Sequence, residues 1–298
     1  MTQKVALTCC VDLPSWGMDG EAQLLPGALS HHRQLERKAM GIEVLERRFA
    51  AIGARLNVVG PPTGAPRIGI GSDTRGEFFD VRFAGNGRLV ELEVVDINRT
   101  DRHLLLLVRN GEEKSKFLCG HDERHWFVAA VPEDAKGVTG VAAAKAALQP
   151  ALVRTAVGRA RPKDPFRRRN AAYVRQGEWF FVPALELDPP SAFVLRNEPL
   201  SRGRGEAHVI EFAYRRGGQV VWVNRRHPSG ISDARYRRLT EKDRRSGGWT
   251  RFVRDPELFA KGAIRHPDHA TVVLNGWHRV VMNTEQGARA MRHVAFLD

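Results

Sequence analysis

Three cysteines, Cys9, Cys10 and Cys119, are all that the chain contains. Adjacent cysteines rarely pair with each other and an odd count leaves one thiol over, so a disulfide framework is excluded and a reducing compartment is expected. No stretch approaches the roughly 18 to 20 apolar residues that a membrane-spanning helix requires. At the N-terminus Lys4 precedes a short apolar patch, Val5–Val11, which Thr8 interrupts and Pro14 and Trp16 follow. This lacks the core length and small-residue cleavage site of a secretory signal. The expectation is a cytoplasmic protein with no membrane partner.

Catalytic signatures are also scarce. The chain has no CxxC spacing, no HExxH, no HxE…PCxxC, no GxxxxGK[ST] phosphate loop and no GxSxG elbow. The segment Gly69–Gly76, GIGSDTRG, holds glycines but precedes an expected strand, whereas a phosphate loop must open a helix. No cofactor is expected, and the balance leans away from an enzyme. No repeat of fixed period is visible, which excludes a solenoid or propeller.

Arginine is what the chain has in abundance. Residues 1–150 carry 19 Lys or Arg against 19 Asp or Glu, and residues 151–298 carry 28 against 15, so the formal excess of +13 lies in the second half. A coding bias towards arginine would spread it evenly. A field of one sign confined to one region suits an oppositely charged polymer or surface, and nucleic acid is the partner expected. The neutral first half is left as a scaffold or a docking face for a protein partner. Hydrophobic content of 42% with charged content of 27% is that of a globular chain.

The pattern predicts an α+β protein in three parts: residues 1–66 as N-terminal arm, helix and linker, 67–150 as a sheet with a capping helix, and 151–298 as a basic α+β domain with β-hairpins. Residues 1–29 show no period. Leu35, Ala39, Ile42, Leu45, Phe49 and Ile52 give one apolar stripe on a helix from Ser30 to Gly53. Gly60–Pro66 reads as linker. Five strands, Glu77–Phe83, Leu89–Ile97, His103–Arg109, Glu113–Cys119 and Arg124–Val131, with links this short, form an antiparallel meander. The continuous run Leu104–Leu107 suits a strand covered on both faces. Val138–Leu148 is a helix able to cap the sheet, and Pro150 opens a second helix, Ala151–Val157.

Beyond it, Tyr173–Val182 is a strand closed by Pro183. The turn Arg215–Gly218 joins strands His208–Tyr214 and Gln219–Asn224, Ser232 caps a basic helix to about Lys242, and Asn275-Gly276 turns a hairpin between Ala270–Leu274 and Trp277–Asn283.

The candidate interface follows the charge. Arg159, Arg161, Lys163, Arg167, Arg168, Arg169 and Arg175 precede the aromatic strand Trp179, Phe180, Phe181. Guanidinium groups supply phosphate forks and an exposed ring stacks on an unpaired base, which suits single-stranded or structured RNA or DNA. Strand alternation puts Trp179 and Phe181 in the core and leaves Phe180 to stack. Arg215, Arg216, Arg225 and Arg226 form a second cluster; Arg235, Arg238 and Lys242 share a face of the basic helix; Arg202 and Arg204 add a fourth.

An alternative function is a metal-dependent phosphodiesterase or nuclease using His266, Asp268, His269 and His278. The expected Asn275-Gly276 turn puts His269 and His278 about four residues apart along the sheet, roughly 13 Å, too far to share an ion. His266 or Asp268 would have to meet His208 or His227 from elsewhere. The cluster His121, Asp122, Glu123, Arg124, His125 around a turn reads as a solvated hairpin. A basic structural subunit of a larger assembly is the remaining reading.

Overall fold

A left-handed glycine ends the first described helix. The computed structural model describes residues 41–85, 87–201 and 206–295, with helix α1 over residues 41–50. The helix gives way at Gly53, whose φ of 78° is strained for any side-chain-bearing residue. Leu45, Phe49 and Ile52, four and three residues apart, are all buried. The Ser30 end of the expected helix, with Leu35 and Ala39, lies outside the described residues, as do the N-terminal arm, Cys9, Cys10, Arg202 and Arg204.

Residues 44–298 form one unit, a mixed α+β arrangement dominated by four sheets. The first sheet has the order β1-β3-β2-β17, from β1 (Leu56–Val59), β2 (Pro66–Asp73), β3 (Gly76–Phe83) and β17 (Val294–Ala295). The second is a meander of β4 (Val90–Asn98), β5 (His103–Asn110), β6 (Glu113–Asp122) and β7 (His125–Val131). The expected five-strand meander is thereby corrected. Strand β3 forms a tight hairpin with β2, Asp73 opposite Gly76, and takes β1 in parallel on its other side, so no edge of it remains for β4. The glycine segment at 69–76 is the end of β2 and the turn after it.

The two sheets and α1 share one core, in which Phe49 and Phe79 meet edge to face at 4.9 Å and Leu104, Leu106 and Phe117 are fully buried. On the opposite face of β5, Leu105 packs with Val141, Ala144 and Leu148 of α2 (Val141–Leu148). Strand β5 is apolar throughout because both faces are covered.

Helix α3 (Ala151–Ala160) begins after Pro150, which occupies the cap position. The third sheet has the order β10-β11-β15-β16-β9-β8, from β8 (Val174–Gln176), β9 (Trp179–Pro183), β10 (Leu195–Leu200), β11 (His208–Arg216), β15 (Glu257–His266) and β16 (His269–Met282). The expected single strand Tyr173–Val182 is a hairpin turning at Gly177 and Glu178. The expected hairpin at Asn275-Gly276 is absent. Both residues lie inside β16, where extra residues bulge opposite Lys261, and neither takes the positive φ that a two-residue primed turn demands. The chain reverses instead between His266 and His269.

The fourth sheet, β13-β12-β14, comes from β12 (Gln219–Asn224), β13 (His227–Ser232) and β14 (Thr250–Arg254). The strands β11 and β12 do not pair with each other, which corrects the expected hairpin across Arg215–Gly218. Arg216 pairs with Glu257 and Gln219 with Arg254, so the antiparallel ribbon continues through a kink. A β-carbon on Gly218 would stand 2.8 Å from the Arg254 carbonyl oxygen, an approach only glycine permits. The basic helix is also two pieces: α4 (Asp233–Arg237), capped by Ser232, and α5 (Glu241–Ser246), capped by Thr240. A second cap restarts the helix, so Arg235, Arg238 and Lys242 do not line one helical face.

Candidate functional site

Two residues of the basic run after α3, Arg168 and Arg175, are turned inward. Arg159, Arg161 and Lys163 are exposed at the helix end, and Arg167 is exposed in the loop after it. Arg168 is ion-paired to Asp122 and Glu123 at the β6–β7 turn. Burial, with Arg175 beside it, pushes its guanidinium down to about 10. Arg175 lies 3.4 Å from Asp122 and Arg169 donates to the Val273 carbonyl at 3.1 Å. These contacts fasten β8 and its loop to neighbouring strands; Arg168 and Arg175 are withdrawn from the expected interface, whereas Arg169 stays exposed. The acidic turn that reads as a solvated hairpin is the counterpart of Arg168 and Arg175.

Phe180 is corrected as well. It is 4% exposed, and Trp179 and Phe181 are buried with it. Trp179 and Phe181 enter the core of the third sheet, whereas Phe180 packs against Tyr173, 5.1 Å between ring centres, under Val153 of α3. A helix covers the face that strand alternation leaves for solvent. In the second cluster Arg215 is held by Glu198 and Arg216 by Glu257, each at 2.8 Å.

The remaining charge gathers in the module of residues 219–254, inserted at the end of the β11–β15 ribbon. It holds ten Lys or Arg against three Asp or Glu. Its interior is aromatic: Trp222 stacks on Tyr236 at 3.7 Å and 8°, Tyr236 meets Trp249 edge to face, and Trp249 stacks on His227. The Trp222 indole donates to Asp233 at 2.9 Å, which holds that carboxyl below its ordinary range together with nearby Arg237. Planar rings build a thin core that leaves the arginines outside. Arg225, Arg226, Arg235, Arg238 and Lys242 are exposed, while Arg237 and Arg245 take carboxylates of their own helices. Strand β14 is exposed along its whole length, with Phe252 52% accessible between Arg251 and Val253. Phe252, Arg251 and the stacked rings are absent from the sequence-based interface. Their signal was present as the alternation Arg251-Phe252-Val253-Arg254 on a strand.

The histidines converge elsewhere. A two-residue turn, Pro267-Asp268, sets His266 and His269 directly opposite each other on β15 and β16. Val209 pairs with Arg265, so His208, one residue earlier on β11, stands in the same row. Ring centres are 4.3 Å apart for His208 and His266 and 4.8 Å for His266 and His269. One ligand nitrogen from each of the three lies within 4.8 Å of the others, and Glu206 and Asp268 crowd His266 in the same way. His278 is not part of this group; its Nδ1 contacts the Gly276 carbonyl at 2.8 Å. Burial, aided by the two neighbouring imidazoles, pushes His208 down to about 3, and burial, aided mainly by His266, pushes His269 down to about 4. Both shifts share a cause: imidazoles packed side by side and partly out of water disfavour the protonated form. His269 opens on a cleft of about 740 Å³ that His121, Asp122, Arg168 and Phe166 also line.

No family model matches this chain, and no curated protein or solved structure is found to be similar to it. No helix among the described residues is long and apolar enough to cross a membrane.

Proposed function

We propose that the chain binds single-stranded or structured nucleic acid through the module of residues 219–254. The supporting observation is the excess of seven positive charges within that module, most of its basic side chains being exposed, together with the accessible ring of Phe252 on β14. Arginine forks hold phosphates and the ring offers a stacking surface. Arg159, Arg161, Lys163 and Arg167 supply a further exposed basic stretch. The reading includes a cytoplasmic setting and a scaffolding role for the neutral first half.

The test is binding of labelled single-stranded RNA and DNA over a range of salt concentrations. The triple variant Arg235→Ala/Arg238→Ala/Lys242→Ala should flatten the slope of log K against log[salt] by up to about 2, because each lost phosphate contact on a single strand contributes about 0.7. An unchanged slope, or no binding at low salt, overturns the proposal.

A second reading, phosphodiester cleavage, is favoured by the convergence of His208, His266 and His269. Cleavage of the bound strand that a chelator abolishes would support it, and an intact strand after prolonged incubation with divalent ions would discard it.

A further inference from the structure

The row of imidazoles has the chemistry of a transition-ion site. A β-carbon placed on Gly177 would stand 3.0 Å from His269 Nε2 and 3.5 Å from His208 Nε2, so these two nitrogens face the same bare backbone position. His208 Nε2 is buried and finds no hydrogen-bond partner, and the residue as a whole is 3% exposed. A buried imidazole nitrogen without a partner is unfavourable, a cost that an occupant with an empty orbital would offset.

A second observation points the same way. Behind His269, on the side away from His208, Glu123 Oε2 lies 3.4 Å from Nδ1. That carboxylate is itself anchored, accepting the Ala270 amide at 2.9 Å and pairing with Arg168. At that distance Nδ1 forms no hydrogen bond and is, like His208 Nε2, a buried nitrogen without a partner; a slight approach of the carboxylate would give the arrangement that orients metal-binding histidines. Glu123 is held at a φ of 42°, so the backbone accepts strain in placing it.

The geometry points to His208, His266 and His269 as a binding site for a first-row divalent transition ion, with zinc the best fit to a three-nitrogen set. Asp268 and Glu206, grouped around His266, are the nearest carboxylates to complete the coordination. Nitrogens bound to one tetrahedral zinc stand about 3.3 Å apart, following from bond lengths near 2 Å. The present separations of up to 4.8 Å close to that value by modest ring rotation about the soft terminal torsion of histidine. His266 exchanges a contact in doing so: its Nδ1 now accepts the Asp268 amide at 3.1 Å and its Nε2 faces the Glu206 carbonyl at 3.3 Å. The site deepens the cleavage reading, but ion binding stands or falls without any activity.

The experiment is metal retention. The full chain, incubated with Zn²⁺ and freed of excess ion, should retain about one zinc, measured by elemental analysis. The Co²⁺ form should show the visible absorption of a four- or five-coordinate nitrogen site. His208→Ala and His269→Ala should abolish retention, and Glu123→Gln should weaken affinity about 10- to 100-fold in competition with a chelator. The double variant His31→Ala/His32→Ala should retain zinc as the parent does. Circular dichroism reports whether each variant is folded; should His208→Ala unfold, His266→Ala and Glu123→Gln decide. Absence of retained zinc, unchanged retention in the folded cluster variants, or loss on replacing His31 and His32 overturns the assignment. Zinc retention without strand cleavage removes only the hydrolytic reading.

Discussion

Arg168 sits between Asp122 and Glu123, with one terminal nitrogen facing each carboxylate. The pair joins the loop before β8 to the β6–β7 turn, so a residue with the look of a phosphate clamp serves as an internal fastener. Its side chain is 32% exposed and each carboxylate 19%, so solvent screens part of the interaction. Arg168→Ala is expected to lower stability by about 1–3 kcal/mol, below the range for a fully buried pair broken on one side. Urea denaturation measures this, and Arg167→Ala, which removes an exposed side chain, is expected to change it by less than about 0.5 kcal/mol.

Phe180 makes the corresponding test for the aromatic strand. With its ring packed on Tyr173 and beneath α3, Phe180→Ala should cost about 3–5 kcal/mol through lost burial and the cavity left behind. Nucleic-acid affinity of the folded fraction should be unchanged. A stable variant with weakened binding would return Phe180 to the interface.

Phe252 should behave oppositely. Half of its surface is open, so Phe252→Ala should leave the denaturation midpoint nearly unaltered and weaken single-strand binding by about 1–3 kcal/mol if one base stacks there. Paired measurements of midpoint and affinity separate the two residues. Equal affinity in parent and variant would remove β14 from the contact surface.

His103 carries a pH dependence. Burial pushes its imidazole down to about 4, with Lys145 and Arg175 adding to the effect and Asp101 opposing it. The ring lies 5.5 Å from Phe127 and against Gly120. Because the unfolded chain takes up this proton near pH 6.5 and the folded chain only near 4, the neutral-ring contribution is full above pH 6.5 and is lost as pH falls between those values. The difference in stability between the parent and His103→Asn should therefore shrink from pH 7 to pH 4, by at most about 2–3 kcal/mol. A constant difference across that window would show that His103 does not titrate there.

The parts of the fold visible in the sequence are those whose partners are close along the chain. The stripe Leu45, Phe49, Ile52 and the short link between β5 and β6 follow from local periodicity and turn chemistry, although the turn itself falls at Gly111-Glu112, with Asn110 still paired to Glu113. The errors share one cause. Asn275-Gly276 and Arg215–Gly218 carry strong turn residues, yet a neighbouring strand lies alongside each, and long-range pairing turned one into a bulge and the other into a kink. The histidine row escaped for the same reason: its third member comes from β11, 58 residues before His266 in the chain. Local spacing shows His266 and His269 three apart, and only the true turn at Pro267-Asp268 sets them face to face.

By itself the sequence determined the mixed α and β character, the confinement of positive charge to the second half, and the absence of a membrane-length apolar run. Each is a matter of composition and local period. Tertiary structure alone decided which arginines meet solvent. Asp122 and Glu123 are more than 40 positions from Arg168, and desolvation makes pairing there obligatory, whereas the thin aromatic core of 219–254 leaves its arginines no interior to enter. Charge is written in composition, but its availability depends on what the folded chain sets beside it.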